Sequence, residues 1–394
     1  MSVVRAVGLR FPFPKRPVSV ETTLADLTTF GQRDTGGIPG DARHIAPPRE
    51  HWTPLTQAVP GTLLTGTLPD DHHAHFLLRL PADWNGRLVV AAASGVTDEH
   101  TYDLYFSDYA LSRGCAFAAT DKGVRRAVLD GDTVLLPMTP ETSVRAWASR
   151  LEALARLSID ACSRLAGRKP ARVYAAGLSN GGFVARRAAE SASGLFDGAV
   201  EISGVLWRED DNLLTQLPAA LRATARKPWD RAALRAAGFP AAEGRWDVLV
   251  AQYRELYWDS VMQLFLTDLD PEYQGPLEAY DLSVRPAARE AIRSFQNTGD
   301  LQVPLISVAG GQDLLISRGR HATAYADLVR ARGKSALHRL IEVEDAAHID
   351  TNAQAFPFVV PLMPHAHLAF EALVRQVEGA PAAAATAPSS PRPR

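Results

Sequence analysis

The sequence predicts an α/β protein with a mostly parallel central sheet flanked by helices, and three observations carry that prediction. Short apolar runs of strand character alternate with longer segments of helical periodicity over most of the chain. One such run, 171–176, passes directly into Gly177-Leu178-Ser179-Asn180-Gly181 and then into a helical stretch over 182–190. A mostly helical insertion, 205–300, falls between the sixth and seventh strands of the series.

The elements follow in order. Residues 1–59 are rich in proline, glycine and charge and predict an irregular arm. The main body occupies 60–204 and 301–379, on either side of the 205–300 insertion, and the Ala/Pro/Ser-rich tail 380–394 predicts disorder. Strands are predicted at 62–68, 74–80 and 87–93, with Asn85-Gly86 marking a hairpin turn between the last two. A helix over 102–112 leads to a strand at 115–120. The next helix is expected to start at a Thr139 cap with Pro140 in its first turn and to end at Gly167. Its apolar face carries Trp147, Leu151, Leu154, Cys162 and Leu165. After the turn at Ser179 come a strand at 196–202, the insertion, strands at 303–309 and 337–343, and helices at 321–332 and 365–377.

Composition narrows the function classes. The 394 residues are 46% hydrophobic and 22% charged, with a net charge of −2. That balance suits a soluble globular chain and gives no electrostatic basis for binding nucleic acid or an anionic membrane. No stretch is long and apolar enough to span a bilayer, and residues 1–20 lack the apolar core of a secretory signal, so a cytoplasmic location is the expectation. Cys115 and Cys162 both fall on apolar faces and read as buried free thiols. Composition says nothing about oligomeric state.

The chemistry centres on Ser179. A sharp strand-to-helix turn with glycine on both sides exposes the serine hydroxyl and aims helix N-terminal amides at any anion formed there. A serine needs a base, and the base needs an acid to fix its tautomer. The strand at 303–309 runs into Gly310-Gly311-Gln312-Asp313, and the last strand runs into Glu344-Asp345-Ala346-Ala347-His348. The roles are then Ser179 as nucleophile, His348 as base and Asp313 as acid, with Glu201 at the end of the sixth strand as the rival acid. The oxyanion donors are expected to be the Asn180 amide and an amide of the loop after the third strand, at Gly95 or Val96. The insertion carries several tryptophans and tyrosines, of which Trp207 and Trp258 are expected to face the substrate. His72, His73 and His75 have no evident carboxylate or cysteine to complete a ligand set, so no metal is expected. Asp121-Lys122-Gly123 lies on the same edge of the sheet and reads either as a turn or as a substrate contact.

With its Ser179 motif and with Asp313 and His348 following in that order, the chain resembles the α/β-hydrolase superfamily over about 62–377. Within it, Ser179-Asn180-Gly181-Gly182 and the long insertion resemble the tannase/feruloyl esterase and hydroxybutyrate-oligomer hydrolase group. The resemblance implies a cofactor-free serine hydrolase with an acyl-enzyme intermediate, and the insertion implies a cap. The expected substrate is a small-molecule or oligomeric carboxylic ester, either aromatic, medium-sized and apolar, or a hydroxyalkanoate oligomer. The fold also hosts serine peptidases, acyltransferases and catalytically silent binding proteins, and the intact Ser, Asp and His weigh against the last.

Overall fold

The structure, a computed structural model, describes residues 19–29, 45–52, 55, 57–69, 71–124, 126–129, 132–135, 138–240 and 244–379. The predicted tail, 380–394, lies outside the described residues.

In chain order the strands are β1 (Ser19–Leu24), β2 (Gly61–Leu68), β3 (Asp71–Pro81), β4 (Arg87–Ala92), β5 (Ala116–Thr120), β6 (Arg126–Leu129), β7 (Asp132–Leu135), β8 (Arg172–Leu178), β9 (Gly198–Ile202), β10 (Leu305–Gly310) and β11 (His338–Val343). Nine of them form one sheet in the order β1-β2-β3-β5-β4-β8-β9-β10-β11, while β6 and β7 make a separate ribbon. The sheet opens antiparallel from β1 through β3 to β5, and from β5 to β11 it is parallel. This is the mixed, mostly parallel sheet that the alternation of elements predicts.

The central strands read as near-continuous apolar runs because both of their faces are covered. Leu77, Val89, Phe117, Tyr174 and Val200 point to one face and pack with the last helix. Their chain neighbours Leu78, Val90, Ala118, Ala175 and Ala199 point to the other. Each large apolar side chain buried in these layers contributes about 1.5–3 kcal/mol relative to exposure.

The helices are α1 (Asp108–Ser112), α2 (Trp147–Ala166), α3 (Asn180–Glu190), α4 (Leu213–Ala223), α5 (Arg231–Ala236), α6 (Asp247–Tyr253), α7 (Asp259–Leu269), α8 (Pro286–Arg293), α9 (Ala324–Ala331), α10 (Thr351–Ala355) and α11 (Met363–Glu378). Helices α4 to α8 occupy the stretch between β9 and β10. None of the described helices is long and apolar enough to cross a membrane.

Three expectations need correction. The arm over 1–59 is not irregular throughout, since β1 pairs with β2 from Ser19–Gly66 to Leu24–Gly61. Asn85-Gly86 makes a turn, with Gly86 at φ +95° and Asn85 Oδ1 accepting the Arg87 N–H, but β3 and β4 are not a hairpin. The wholly buried β5 lies between them and pairs with both, because its apolar faces need the centre of the sheet. Helix α2 does not begin at Thr139. A 3₁₀ turn, Val144–Ala146, leads into it, and the Ser143 hydroxyl caps that turn by accepting the Arg145 N–H. The Gly167 stop is observed at φ +68°.

Candidate active site

The site is built at the carboxyl ends of β4, β8, β10 and β11. Between β8 and α3 the backbone turns so sharply that Ser179 adopts φ +59° and ψ −118°. This region is unfavourable for a side-chain-bearing residue and persists only where the surroundings impose it. The imposition is close packing across the turn. A Cβ on Gly177 would lie 2.1 Å from the Gly181 carbonyl oxygen, so only glycine permits the approach.

Asp313 and His348 reach the serine from later loops. Gly310 lets those loops touch, since a Cβ there would lie 2.5 Å from the Ala346 carbonyl oxygen. The His348 imidazole lies between its two partners, with Nε2 3.0 Å from Ser179 Oγ and Nδ1 2.8 Å from Asp313 Oδ2. The other Asp313 oxygen accepts the Leu315 and Ile316 backbone N–H groups at 2.8 and 2.7 Å, which fixes the carboxylate plane. A carboxylate only accepts, so the imidazole proton belongs on Nδ1, and the free Nε2 lone pair faces the serine hydroxyl. Ser179, His348 and Asp313 are 6%, 3% and 1% exposed, so this chain of hydrogen bonds is shielded from water and only its serine end meets solvent.

Glu201, the rival acid, is engaged elsewhere. It is buried, accepts from Arg186 Nη2 at 2.7 Å and Nε at 3.1 Å, and takes the Gly204 N–H at 2.8 Å.

Two of the expected oxyanion residues, Asn180 and Gly95, are in contact. Asn180 begins α3, and its side-chain Nδ2 donates to the Gly95 carbonyl at 3.3 Å. Four successive carbonyls, from the last residue of β4 into the loop after it, are each held by a side chain. Tyr102 Oη donates to Ala92 at 2.8 Å, and Lys122 Nζ donates to Ala93 at 2.6 Å. Thr97 Oγ1 donates to Ser94 at 2.6 Å, and Asn180 holds Gly95. In a trans peptide the N–H points opposite to the carbonyl of the same plane. Holding the Ser94 and Gly95 carbonyls therefore orients the N–H groups of Gly95 and Val96. The backbone N–H groups of Asn180, Gly95 and Val96 make none of the hydrogen bonds found among the described residues.

Trp207 and Trp258 do not face a substrate. Both are fully buried. Trp207 packs edge-on against Phe265 and Phe295, and Trp258 Nε1 donates to the Leu314 carbonyl at 2.7 Å, one residue from Asp313. Large apolar rings in a largely helical insertion serve first as its core, and residue type alone does not distinguish that use from a substrate wall.

Other functional residues escaped the sequence reading. Tyr102 ties the elbow to the neighbouring strand, accepting the Leu178 N–H at 2.7 Å while donating to Ala92. Tyr253, at the end of α6, donates to Asn352 Oδ1 at 2.8 Å, and its hydroxyl faces the His348 backbone N–H. His321 is buried and accepts the Leu206 N–H on Nδ1, and burial pulls it down to about 3, so it stays neutral beside His348. No local motif marks any of the three, and only the folded chain brings them to the site.

The histidine run also acquires neighbours that the sequence concealed. His75, Glu99 and Asp121 place their ligand-type atoms within 4.8 Å of one another. One Asp121 oxygen is already committed to the His75 and Gly123 backbone N–H groups, at 2.8 and 2.7 Å.

A mostly parallel sheet that opens antiparallel, with a serine on a strained strand-to-helix turn and an acid and a histidine on later loops, defines the α/β-hydrolase fold. No protein-family model matches the sequence, and no curated protein matches it. Among solved structures the chain is similar to feruloyl esterase B from Aspergillus oryzae, with a TM-score of 0.55 and 12% identity over 92% of this chain and 86% of that one. It is also similar to the rice cell wall degrading esterase LipA from Xanthomonas oryzae, with a TM-score of 0.51 and 12% identity over 91% of this chain and 98% of that one. At these identities the likeness establishes the fold.

Proposed function

We propose that the protein is a serine hydrolase that cleaves a carboxylic ester through an acyl-enzyme on Ser179. The observation that carries this reading is the unbroken, buried chain from Ser179 Oγ through His348 to Asp313, at 3.0 and 2.8 Å. A serine held at a strained turn with a tautomer-fixed imidazole on its hydroxyl has few uses other than nucleophilic attack.

In the reaction, Ser179 Oγ attacks the ester carbonyl while His348 Nε2 takes its proton. Asp313 holds the resulting imidazolium and does not itself take the proton. The carbonyl oxygen, now carrying the negative charge, sits against the Asn180 N–H and the Gly95 or Val96 N–H. His348 then protonates the leaving alcohol. Water repeats the sequence on the acyl-enzyme, with His348 first as base and then as acid, and releases the carboxylic acid. An alcohol leaves far more readily than an amine, and both structural neighbours are named as esterases, which favours an ester over an amide. The neighbours' names also suit an aromatic or otherwise bulky acyl group, and a hydroxyalkanoate oligomer belongs to the same substrate set.

The test is to treat the purified protein with a fluorophosphonate, locate the adduct by mass spectrometry, and assay a panel of aryl, alkyl and hydroxyalkanoate esters. The expected result is a single adduct on Ser179 and ester turnover that falls by several orders of magnitude in Ser179→Ala with the melting temperature retained. A folded protein that neither forms the adduct nor turns over any ester would end this reading.

A further inference from the structure

Of the four successive carbonyls that end β4 and open the loop after it, three are held by neutral donors, namely Tyr102, Thr97 and Asn180. The fourth, Ala93, is held by Lys122, which is fully buried. That lysine is doubly costly to the fold. Its backbone sits at φ +62°, a conformation unfavourable for any residue but glycine, and its amine is withdrawn from water. A neutral donor would hold the carbonyl as well at lower cost, as the other three do. The Trp147 ring face lies 5.2 Å from Nζ, and the Arg150 guanidinium on α2 holds the Lys122 carbonyl at 2.8 Å. The Asp121 carboxylate adjoins it in the chain, and His75 on β3 and Glu99 on the loop after β4 adjoin Asp121. Asp121 favours the protonated amine and Arg150 opposes it, while burial dominates and pulls the lysine down to about 7.

We propose that Lys122 is a positioning residue of the oxyanion loop, and that its ammonium, lodged one peptide behind the Gly95 amide and two behind that of Val96, supports the negative charge that develops on the substrate during acyl transfer. The inference rests on the serine-hydrolase reading of Ser179. A fixed charge in a water-excluded setting acts on a developing anion far more strongly than it would in bulk water. It touches no part of the resting ester, so its effect belongs in kcat and not in KM.

The experiment measures kcat and KM against pH for one ester, in the wild type and in Lys122→Met, which keeps the side-chain length and removes the charge and the donor. The expected loss in kcat at pH 6 is about 10- to 100-fold, with KM within about threefold. The wild-type advantage in kcat over Lys122→Met should also shrink as pH rises through about 7, where Lys122 loses its proton, because the dependence on His348 is common to both proteins. The Met variant loses a buried charge but also leaves the Ala93 carbonyl without its donor, so its melting temperature is expected to fall by no more than a few degrees. A Lys122→Met protein with kcat within twofold of wild type and the same pH profile would overturn the proposal. A wild-type advantage over Lys122→Met that stays constant from pH 6 to 9 would do the same. Failure of the underlying reading looks different, because the wild type itself would then carry no adduct on Ser179 and turn over no ester.

Discussion

At the scale of single residues, Asp313 divides its oxygens between two tasks, one on His348 and one on the backbone N–H groups of Leu315 and Ile316. Glu201 is equally buried but spends its oxygens on Arg186 and Gly204. The two acids should therefore fail in different ways. Asp313→Asn keeps the packing but takes the acceptor charge from the imidazole, and kcat is expected to fall by about 10³–10⁴. Glu201→Gln leaves a buried guanidinium without its counter-charge, which costs about 3 kcal/mol or more in stability, with kcat of the folded fraction nearly unchanged. Steady-state rates and urea midpoints on both variants separate the outcomes, and a Glu201→Gln protein of normal stability with a crippled kcat would contradict this assignment. Ser179, Asp313 and His348, which the structure brings into one hydrogen-bonded chain, could be picked out in the sequence because their order along the chain and the glycine turns are local signals. Tyr102 could not, and Lys122 was legible only as part of a turn or substrate contact, because a buried tyrosine or a lysine after a strand looks the same in sequence whatever its polar end meets.

At the scale of elements, the stretch between β9 and β10 reaches the acid loop directly. Trp258 closes the π-turn Arg254–Trp258 between α6 and α7, and its indole holds the carbonyl next to Asp313. Tyr253, at the end of the preceding helix, bonds Asn352 on α10, just beyond His348. These contacts brace the loops that carry Asp313 and His348. Trp258→Phe is accordingly expected to lower kcat/KM about tenfold on a bulky aromatic ester and on a small acetate ester alike, with a drop of a few degrees in melting temperature. A loss confined to the bulky ester would place the ring in substrate contact instead. The same elements show where pattern reading stops. The strands around Ser179 were found because burial on both faces leaves a plain apolar run. The Asn85-Gly86 turn was real, but strand neighbours are chosen by the whole sheet, and β5 outcompeted β4 for the place beside β3. The start of α2 was missed because Thr139-Pro140 imitates a helix start that the chain delays to Trp147.

At the scale of the whole molecule, two sets of buried groups oppose each other in acid. Burial pulls His321, His338 and His367 down to about 3, 4 and 4. Each stays neutral in the folded chain, whereas the unfolded chain takes up a proton below about 6.5, so each erodes stability as pH falls from there. Burial also pushes Asp98, Asp108 and Asp350 up to about 6, 7 and 7. Each keeps a proton in the folded chain that the unfolded chain releases, so each adds stability as pH falls through 7 towards 4. At about 1.4 kcal/mol per pH unit for each proton, the sets nearly cancel. Urea midpoints should therefore be almost level between about pH 6.5 and 4.5. They should drop below about pH 4, where carboxylates held low by arginine, such as Asp103 beside Arg79, begin to protonate. A steep loss already between pH 6 and 5 would show that the three acids are ionised in the folded state.

Strand β1 has a consequence for how copies of the molecule meet. It supplies the outer border of the nine-stranded sheet, and its side chains are almost all exposed. Its Glu21 is tied to Arg164 of α2 at 2.9 Å. Beneath it, β2 carries Gly61, Leu64 and Leu68 as buried residues and a full row of backbone groups that β1 now satisfies. Stripped of that polar selvage, the sheet would present β2 as a free template to any neighbour with an open strand. Removing residues 1–24 is therefore expected to leave the triad chemistry intact but to make the protein self-associate as concentration rises, visible as growing mass in light scattering. A truncated protein as dispersed as the full chain would mean that β2 protects its own border.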